Sequence, residues 1–337
     1  MLDEVLAEIS PDEEERDALE EAYEDVKERA ENALNERDVD ADVELVGSAA
    51  RDTWMSGDRD IDIFLLLPPE LERNDFEEIG LDVGKDVFPD GTVEYAEHPY
   101  VKGDEDGYDV DIVPCYDLDS PAELRSAVDR TPFHNDYIKN SGIDGDEVRL
   151  LKAFARGAGV YGSDLRTQGF SGYLCELLVL HYGGFESVVE AAADWQPPVK
   201  IDIEGHVQED FDDSLVVIDP TDPGRNVAAV VSEDSFARFI DWCREWEGEP
   251  SKSLFFPPDV SPMEADGLEA ELGKRGTTLV CVTFDAPDIV DDQLFPQLYK
   301  TRKSLVGELE RRGFDVLRSD VMANSSCVIL VELNVAR

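Results

Sequence analysis

Two short acidic runs carry the strongest chemical signal in this chain. Asp60-Ile61-Asp62 opens the apolar stretch that continues as Ile63-Phe64-Leu65-Leu66-Leu67, and Asp109-Val110-Asp111 opens Ile112-Val113-Pro114. With 79 Asp and Glu residues in the chain, acid-x-acid spacing means little by itself. Placement is what counts. Strand side chains alternate with period two, so Asp60 and Asp62 share one face, as do Asp109 and Asp111. An unpaired carboxylate on a buried strand is unfavourable by several kcal/mol. If the two runs are neighbouring strands, their carboxylates converge, and they repel unless cations lie between them. Hard oxygen ligands of this kind suit Mg²⁺. A Gly-Ser turn at Gly47-Ser48 offers backbone N–H groups and a hydroxyl to phosphate oxygens, and Arg51 follows one turn later. A phosphate-cradling turn, then D-x-D, then a further Asp on a later strand, describes a nucleotidyl-transfer site with two metal ions. The opposing reading makes these aspartates solvated strand ends on an acid-rich surface.

The elements that must position these groups follow from periodicity and punctuation. Ser10-Pro11-Asp12-Glu13 predicts a helix capped by Ser10 and running to about Arg37. Val43 to Val46 reads as a strand and Ala49 to Met55 as a short helix. Ile61 to Leu67 reads as a strand and Glu70 to Val87 as a helix. Three β-like runs follow: Gly91 to Glu97, Pro99 to Lys102 and Tyr108 to Tyr116. This order suits a small mixed sheet with helices on one face. Between Pro121 and Trp195 helices take over, with Val148 to Gly159 and Ser171 to Tyr182 at helical spacing. Strands at Val199 to Ile203 and Leu215 to Ile218 precede a helix at Asp234 to Glu247. Pro250 to Pro262 reads as a linker. Thr277 to Phe284, Asp291 to Arg312, Phe314 to Arg318 and Cys327 to Asn334 then form a β-α-β-β unit. The expected fold class is α+β in three domains, 1–143, 144–255 and 256–337.

Composition narrows the setting. The chain has 337 residues, 42% of them hydrophobic, with 15 Phe, 10 Tyr and 4 Trp, which excludes wholesale disorder. No apolar run reaches the roughly 18 residues of a membrane span. Met1-Leu2-Asp3-Glu4 carries neither a basic nor an apolar leader region, so a cytoplasmic protein is expected. Thirty Lys and Arg residues leave a net charge of −49. An acid-rich, Lys-poor surface over an ordinary core fits a cytoplasm of concentrated salt, where the Debye length is about 3 Å at 1 M. The same sign of charge argues against nucleic acid as a partner. Five cysteines without a C-x-x-C pair read as buried free thiols, and four histidines leave little material for zinc.

Beyond the aspartates, longer segments resemble the archaeal, class I CCA-adding enzymes (tRNA nucleotidyltransferases). Gly47-Ser48-Ala49-Ala50-Arg51-Asp52-Thr53-Trp54 is similar to the family's G-S-x-A-R-x-T-W segment, and Ser126 to His134 reads S-A-V-D-R-T-P-F-H as in the family. Glu147 to Lys152, Gly169 to Leu178 and Arg225 to Ala229 match as well, so the resemblance covers roughly residues 40 to 250. It implies a polymerase-β-like head, a helical central domain and a C-terminal body domain that binds RNA. Asp60, Asp62 and Asp111 would then be the catalytic carboxylates and the ligands of two Mg²⁺ ions. Ser48 and Arg51 would hold the incoming nucleotide. His134, Lys152 and Tyr161 would face its triphosphate, Thr131 its ribose, and Arg225 would belong to the surface that reads the base. Tyr173 and Leu174 read as core at helical spacing, without chemistry. The family's C-terminal tail, which grips tRNA away from its 3′ end, is expected to be missing here.

The resemblance implies template-independent addition of C, C and A to the 3′ end of tRNA from CTP and ATP, with release of pyrophosphate. Two other readings share the carboxylate site: a related transferase making poly(A) or 2′-5′ oligoadenylate, and a nucleotide- or RNA-binding module without turnover. The expected partners are the tRNA acceptor arm, ATP and CTP, with no membrane. The oligomeric state stays open, a homodimer included.

Overall fold

The computed structural model describes residues 1–95, 97–259 and 261–334. The parts of the expected Gly91 to Glu97 run and Pro250 to Pro262 linker at 96 and 260 lie outside the described residues, as does the chain's end. Contacts divide the chain into two compact units, 1–161 with 170–256, and 162–169 with 257–337.

The first unit opens with helices α1 (Leu2–Ile9) and α2 (Glu13–Glu36). The cap of α2 is Asp12, not Ser10. Asp12 accepts the Glu15 N–H at 2.9 Å, and Glu15 accepts the Asp12 N–H in return. Ser10 instead ends α1, its N–H donating to the Leu6 carbonyl, because α1 buries Val5 and Ile9 and already occupies the preceding residues. Strand β1 (Asp42–Val46), the one-turn helix α3 (Gly47–Ala50), strand β2 (Asp60–Leu67) and helix α4 (Arg73–Val87) follow. Strands β3 (Thr92–Tyr95), β4 (Pro99–Glu105) and β5 (Tyr108–Tyr116) complete a mixed sheet of order β1-β2-β5-β4-β3, in which only β2 and β5 run parallel. Alternation sorts β2. Ile61, Ile63, Leu65 and Leu67 enter the core with Val26 and Ala30 of α2 and Phe76 and Val83 of α4. Phe64 and Leu66 pack on the opposite side with Val46 and Cys115. Asp60 and Asp62 share that opposite side.

The helical part of this unit contains α5 (Arg130–Ser141), α6 (Gly145–Gly157), α7 (Gly172–Tyr182), α8 (Phe185–Ala193) and α9 (Glu233–Gly248). A small sheet joins β6 (Val199–Ile201), β7 (Leu215–Asp219) and β8 (Asp222–Asn226). Strand β8 goes beyond the sequence expectation, which placed no strand at 222–226. The helices and β7 share one aromatic-rich core built around Phe154, Phe170, Phe185, Phe239 and Trp246. The expected helix from Ala49 to Met55 is cut to the single turn of α3, which ends at Ala50. After Arg51 the chain turns at Asp52 (φ +51°), and buried Arg149 of α6 holds the turn by donating to the carbonyls of Asp52 at 2.7 Å and Trp54 at 2.8 Å. Arg149 thus fixes residues 51–55 to the helical core.

The second unit has helix α10 (Ala265–Arg275), which the sequence expectation lacked, then β9 (Thr277–Asp285), α11 (Asp291–Arg311), β10 (Asp315–Ala323) and β11 (Ser326–Asn334). Its sheet order is β10-β11-β9, with Leu294, Phe295 and Leu298 of α11 packed over Ile329 and Val331. Four cysteines are buried and free, but Cys281, on edge strand β9, is exposed. Among the described residues no helix is long and apolar enough to cross a membrane. Charge is unevenly spread. Residues 257–337 hold nine Lys and Arg against 14 acids, whereas 1–256 hold 21 against 65.

Candidate active site

Parallel register places Asp60 opposite Asp109 and Asp62 opposite Asp111. Burial pushes the Asp62 carboxyl up to about 6, helped by the charges of Asp111 and Asp60 and opposed by Arg51 and Lys102. Asp111 is raised too, again chiefly by burial. Its Oδ1 is buried without a hydrogen-bond partner among the described residues. Lys102, the β4 partner of Asp111, gives its ammonium to Asp109 at 3.1 Å. Asp60 is exposed at the start of the strand. Among the described residues no three such side chains are already closed around one point as metal ligands. Asp62 and Asp111 form the core of the cluster, with Asp60 one strand repeat away. A pair of carboxylates with one orphaned buried oxygen and too little positive charge fits a hard divalent cation.

Gly47 makes this arrangement feasible. Its φ is +76°, and a Cβ there would collide with Oδ2 of Asp62. Gly47→Ala is therefore expected to lose about 1 to 2 kcal/mol of stability from backbone strain. If Asp62 serves the nucleotidyl transfer expected from the sequence, its displacement should cut the rate far more, by about a hundredfold. Thermal melting and single-turnover rates measured together would check the split; wild-type turnover would show that Asp62 need not sit against Gly47.

Two buried carboxylates organise the other side chains. Glu176, fully buried on α7, accepts Arg51 Nε at 3.0 Å and the Thr53 hydroxyl at 2.5 Å. Lys152, only 1% exposed, turns its ammonium onto the Thr53 carbonyl (2.8 Å) and hydroxyl (3.2 Å). Burial lowers its pKa, while Glu176 works in the other direction. A Cβ added at Gly172 would sit 3.4 Å from both Lys152 Nζ and the Tyr161 hydroxyl, so those two polar ends flank one point. Burial also raises the Tyr161 phenol. The second carboxylate, Asp219 at the end of β7, binds His134 at 2.8 Å and Arg225 at 2.7 Å. His134 stacks on Tyr173, ring centroids 4.1 Å apart. Ser48 lies in α3, and its carbonyl accepts the Thr53 N–H at 3.0 Å. Thr131 lies in the first turn of α5, behind a loop that buried Asp129 gathers through the N–H groups of Tyr116, Arg125 and Ser126.

Arg51 links the groups, since its charge acts on Asp62, His134, Lys152 and Tyr173 alike. The structure thus gathers Asp60, Asp62 and Asp111 in one cluster, Arg51, Lys152 and Tyr161 around Glu176 and Thr53, and His134 and Arg225 on Asp219. Three participants were missed from sequence. Glu176 had a readable signal, a lone acid in the apolar run Leu174 to Leu180. Asp219 had a weaker one, an acid ending an apolar strand. Tyr173, expected as core, does pack against it, and its ring also stacks on His134 of the candidate site.

Comparison with known proteins gives the chain its place. Its segments match models of a nucleotidyltransferase domain (residues 27–134), the second domain of tRNA nucleotidyltransferase (146–256) and the C-terminal domain of the CCA-adding enzyme (275–337). The CCA-adding enzyme of Haloarcula marismortui is 54% identical over 94% of this chain and 68% of its own length. The chain belongs to the CCA-adding enzyme family. The Halobacterium salinarum and Methanosarcina barkeri members are 52% and 45% identical, each matched over 74% of its length. Like them, this CCA-adding enzyme is a tRNA nucleotidyltransferase that adds C, C and A without a nucleic-acid template. Its substrates are tRNA and nucleotides, and enzymes of the nucleotidyltransferase family generally use divalent metal ions. The polymerase-β-like α+β fold is shared with an Escherichia coli CdnC solved with ATP (TM-score 0.56, 19% identity, 75% of this chain and 93% of that one). It is shared as well with the Cid1 poly(U) polymerase (TM-score 0.58, 16% identity, 75% and 96%).

Proposed function

We propose that Asp60, Asp62 and Asp111 carry out nucleotidyl transfer with CTP and ATP, and that two Mg²⁺ ions are the metals they hold. When bound, the ions would neutralise the triphosphate and favour ionisation of the attacking hydroxyl. The observation that carries this reading is the Asp62–Asp111 cross-strand pair with its orphaned Oδ1. The terminal 3′-hydroxyl of tRNA attacks the α-phosphate, a new P–O bond forms, and the bond to the β-phosphate breaks to release pyrophosphate. The hydroxyl proton passes to surrounding water, its loss favoured by the cation that the three carboxylates would hold. Ser48 and Arg51 hold the nucleotide, Thr131 faces its ribose, and His134 and Tyr161 face its triphosphate. Lys152, turned inward on Thr53, adds positive charge from behind Arg51. Arg225 reads the base.

The division of labour follows residues 1–143 for catalysis, 144–255 for nucleotide and acceptor end, and 256–337 for tRNA. The smaller excess of acid over 257–337 supports the last assignment, because phosphate contacts depend on Lys and Arg. The cytoplasm is the compartment that suits this work. The direct test incubates the protein at high KCl with tRNA lacking CCA, Mg²⁺ and labelled CTP or ATP. Incorporation of two C residues and then one A supports the reading. Addition of A alone, or a growing homopolymer, refutes it.

A further inference from the structure

We propose that Asp219 is a positioning residue that couples base reading to triphosphate contact, by holding Arg225 and His134 on one carboxylate oxygen. The inference rests on the roles just given to those two side chains. Asp219 is fully buried at the end of β7, where an isolated carboxylate would be strongly disfavoured. Its Oδ1 accepts the Thr221 N–H and hydroxyl, both at 2.9 Å, and the Tyr173 hydroxyl at 3.4 Å. Its Oδ2 accepts His134 at 2.8 Å and Arg225 at 2.7 Å. Donors from α5, α7, β8 and the turn at 220–221 therefore converge on one group.

Burial alone would raise Asp219, but His134, Thr221 and Arg225 hold it well below the usual carboxylate range. A charged carboxylate can only accept, so His134 Nε2 carries a proton and Nδ1 is the end left for a ligand. The groups facing the imidazole are Asp219 of β7, Arg225 of β8, Arg51 after α3 and the stacked Tyr173 of α7. Burial and the two arginines disfavour the imidazolium, and Asp219 favours it. A neutral ring offers Nδ1 as an acceptor, which a phosphate oxygen cannot use; a protonated ring offers a donor. Asp219 thus aims the ring and supports its charged form. The same Oδ2 aims Arg225, so a shift at one partner is felt at the other.

The test uses the full chain with Asp219→Asn, which keeps the side-chain shape and one accepting oxygen. KM and kcat would be measured for CTP on tRNA lacking CCA and for ATP on tRNA ending in CC, between pH 4.5 and pH 8, because burial holds the His134 imidazole below its usual range. Expected is a KM for both nucleotides raised about tenfold with kcat nearly unchanged. The rise of KM with pH should also begin at lower pH than in the wild type. A second measurement leaves Asp219 intact and compares His134→Gln, Arg225→Gln and the double variant. Coupling through one oxygen predicts a combined KM effect smaller than the product of the single effects. A product-like effect overturns the inference. So does a folded Asp219→Asn protein with wild-type KM when each single variant raises KM. If neither His134→Gln nor Arg225→Gln changes KM, the roles assigned to those residues fail, and this inference falls with them.

Discussion

Replacing Asp62 by Asn is expected to abolish nucleotide addition and, in chelator, to raise the melting temperature. Both effects have one cause. Asp62 stands opposite Asp111 with Asp60 beside it, and burial with these charges lifts its carboxyl from 3.8 to about 6. Because the folded pKa lies above the unfolded one, the folded chain binds more protons between about pH 4 and pH 6. Stability is therefore lost as pH rises through that window, by up to about 3 kcal/mol at pH 7 for a shift of this size. Asn keeps the shape and removes the charge, so the gain should be seen at pH 7 and vanish near pH 4. A carboxylate that must balance a divalent cation has no substitute in an amide, so incorporation should fall by about a thousandfold or more. Asp60→Ala and Asp111→Ala should also abolish addition without unfolding the protein. Near-normal incorporation by any two of these variants would sink the assignment. A lower melting temperature for Asp62→Asn at pH 7 would show that the metal-free cluster is not under strain.

Stored repulsion of this kind would favour a cation between the carboxylates. Among the described residues the cations that act most on Asp62 are Arg51 and Lys102, and each is committed elsewhere. Arg51 is held by Glu176, and Lys102 by Asp109. Neither can settle fully between Asp62 and Asp111. On the proposed reading, the remaining deficit would be met by an added cation, and a triphosphate that brings metal with it would meet it best.

The residues of the candidate site were readable where local pattern and buried environment coincide. Asp60, Asp62, Asp109 and Asp111 stood out because period-two spacing put carboxylates on strands otherwise filled with Ile, Val and Leu. The parallel pairing of β2 with β5 was not readable, since it depends on which strands cross over. Helix α2 was expected with the wrong cap because Ser10 and Asp12 are both competent N-caps; the burial of Val5 and Ile9 in α1 decides between them. Strand β8 was hidden for a physical reason. Asp222-Pro223-Gly224-Arg225-Asn226 has the composition of a turn, and it becomes a strand only by pairing with β7. Asp219 was hidden for the same reason, since its meaning lies in donors from four separate segments. Glu176 was within reach: a single acid inside an apolar helical run must have a buried partner.

The last expectation concerns salt, and it separates residues 1–256 from residues 257–337. At 0.1 M salt the Debye length is about 10 Å, so neighbouring surface carboxylates repel one another; at 1 M it is about 3 Å, and they hardly do. With 65 acids against 21 cations over residues 1–256, most acids there have no cation to pair with. Screening should stabilise that part of the chain by several kcal/mol, which for a domain of this size is a rise of about 10 °C or more between 0.1 and 3 M KCl. Residues 257–337 carry nine cations against 14 acids and should gain much less. All four tryptophans, at 54, 195, 242 and 246, lie in the acid-rich part. Tryptophan fluorescence therefore follows its melting alone, and hydrogen exchange at 277–334 follows the other unit. A large KCl-driven rise in the fluorescence transition, with little change in exchange protection of the C-terminal sheet, is the expected result. Sucrose at equal water activity should not reproduce it, because sucrose screens no charge. If the fluorescence transition stays flat or falls with KCl, the acidic surface has some purpose other than life in concentrated salt. If both units gain equally, the benefit comes from hydration of the whole surface, and the net charge of each unit does not set it.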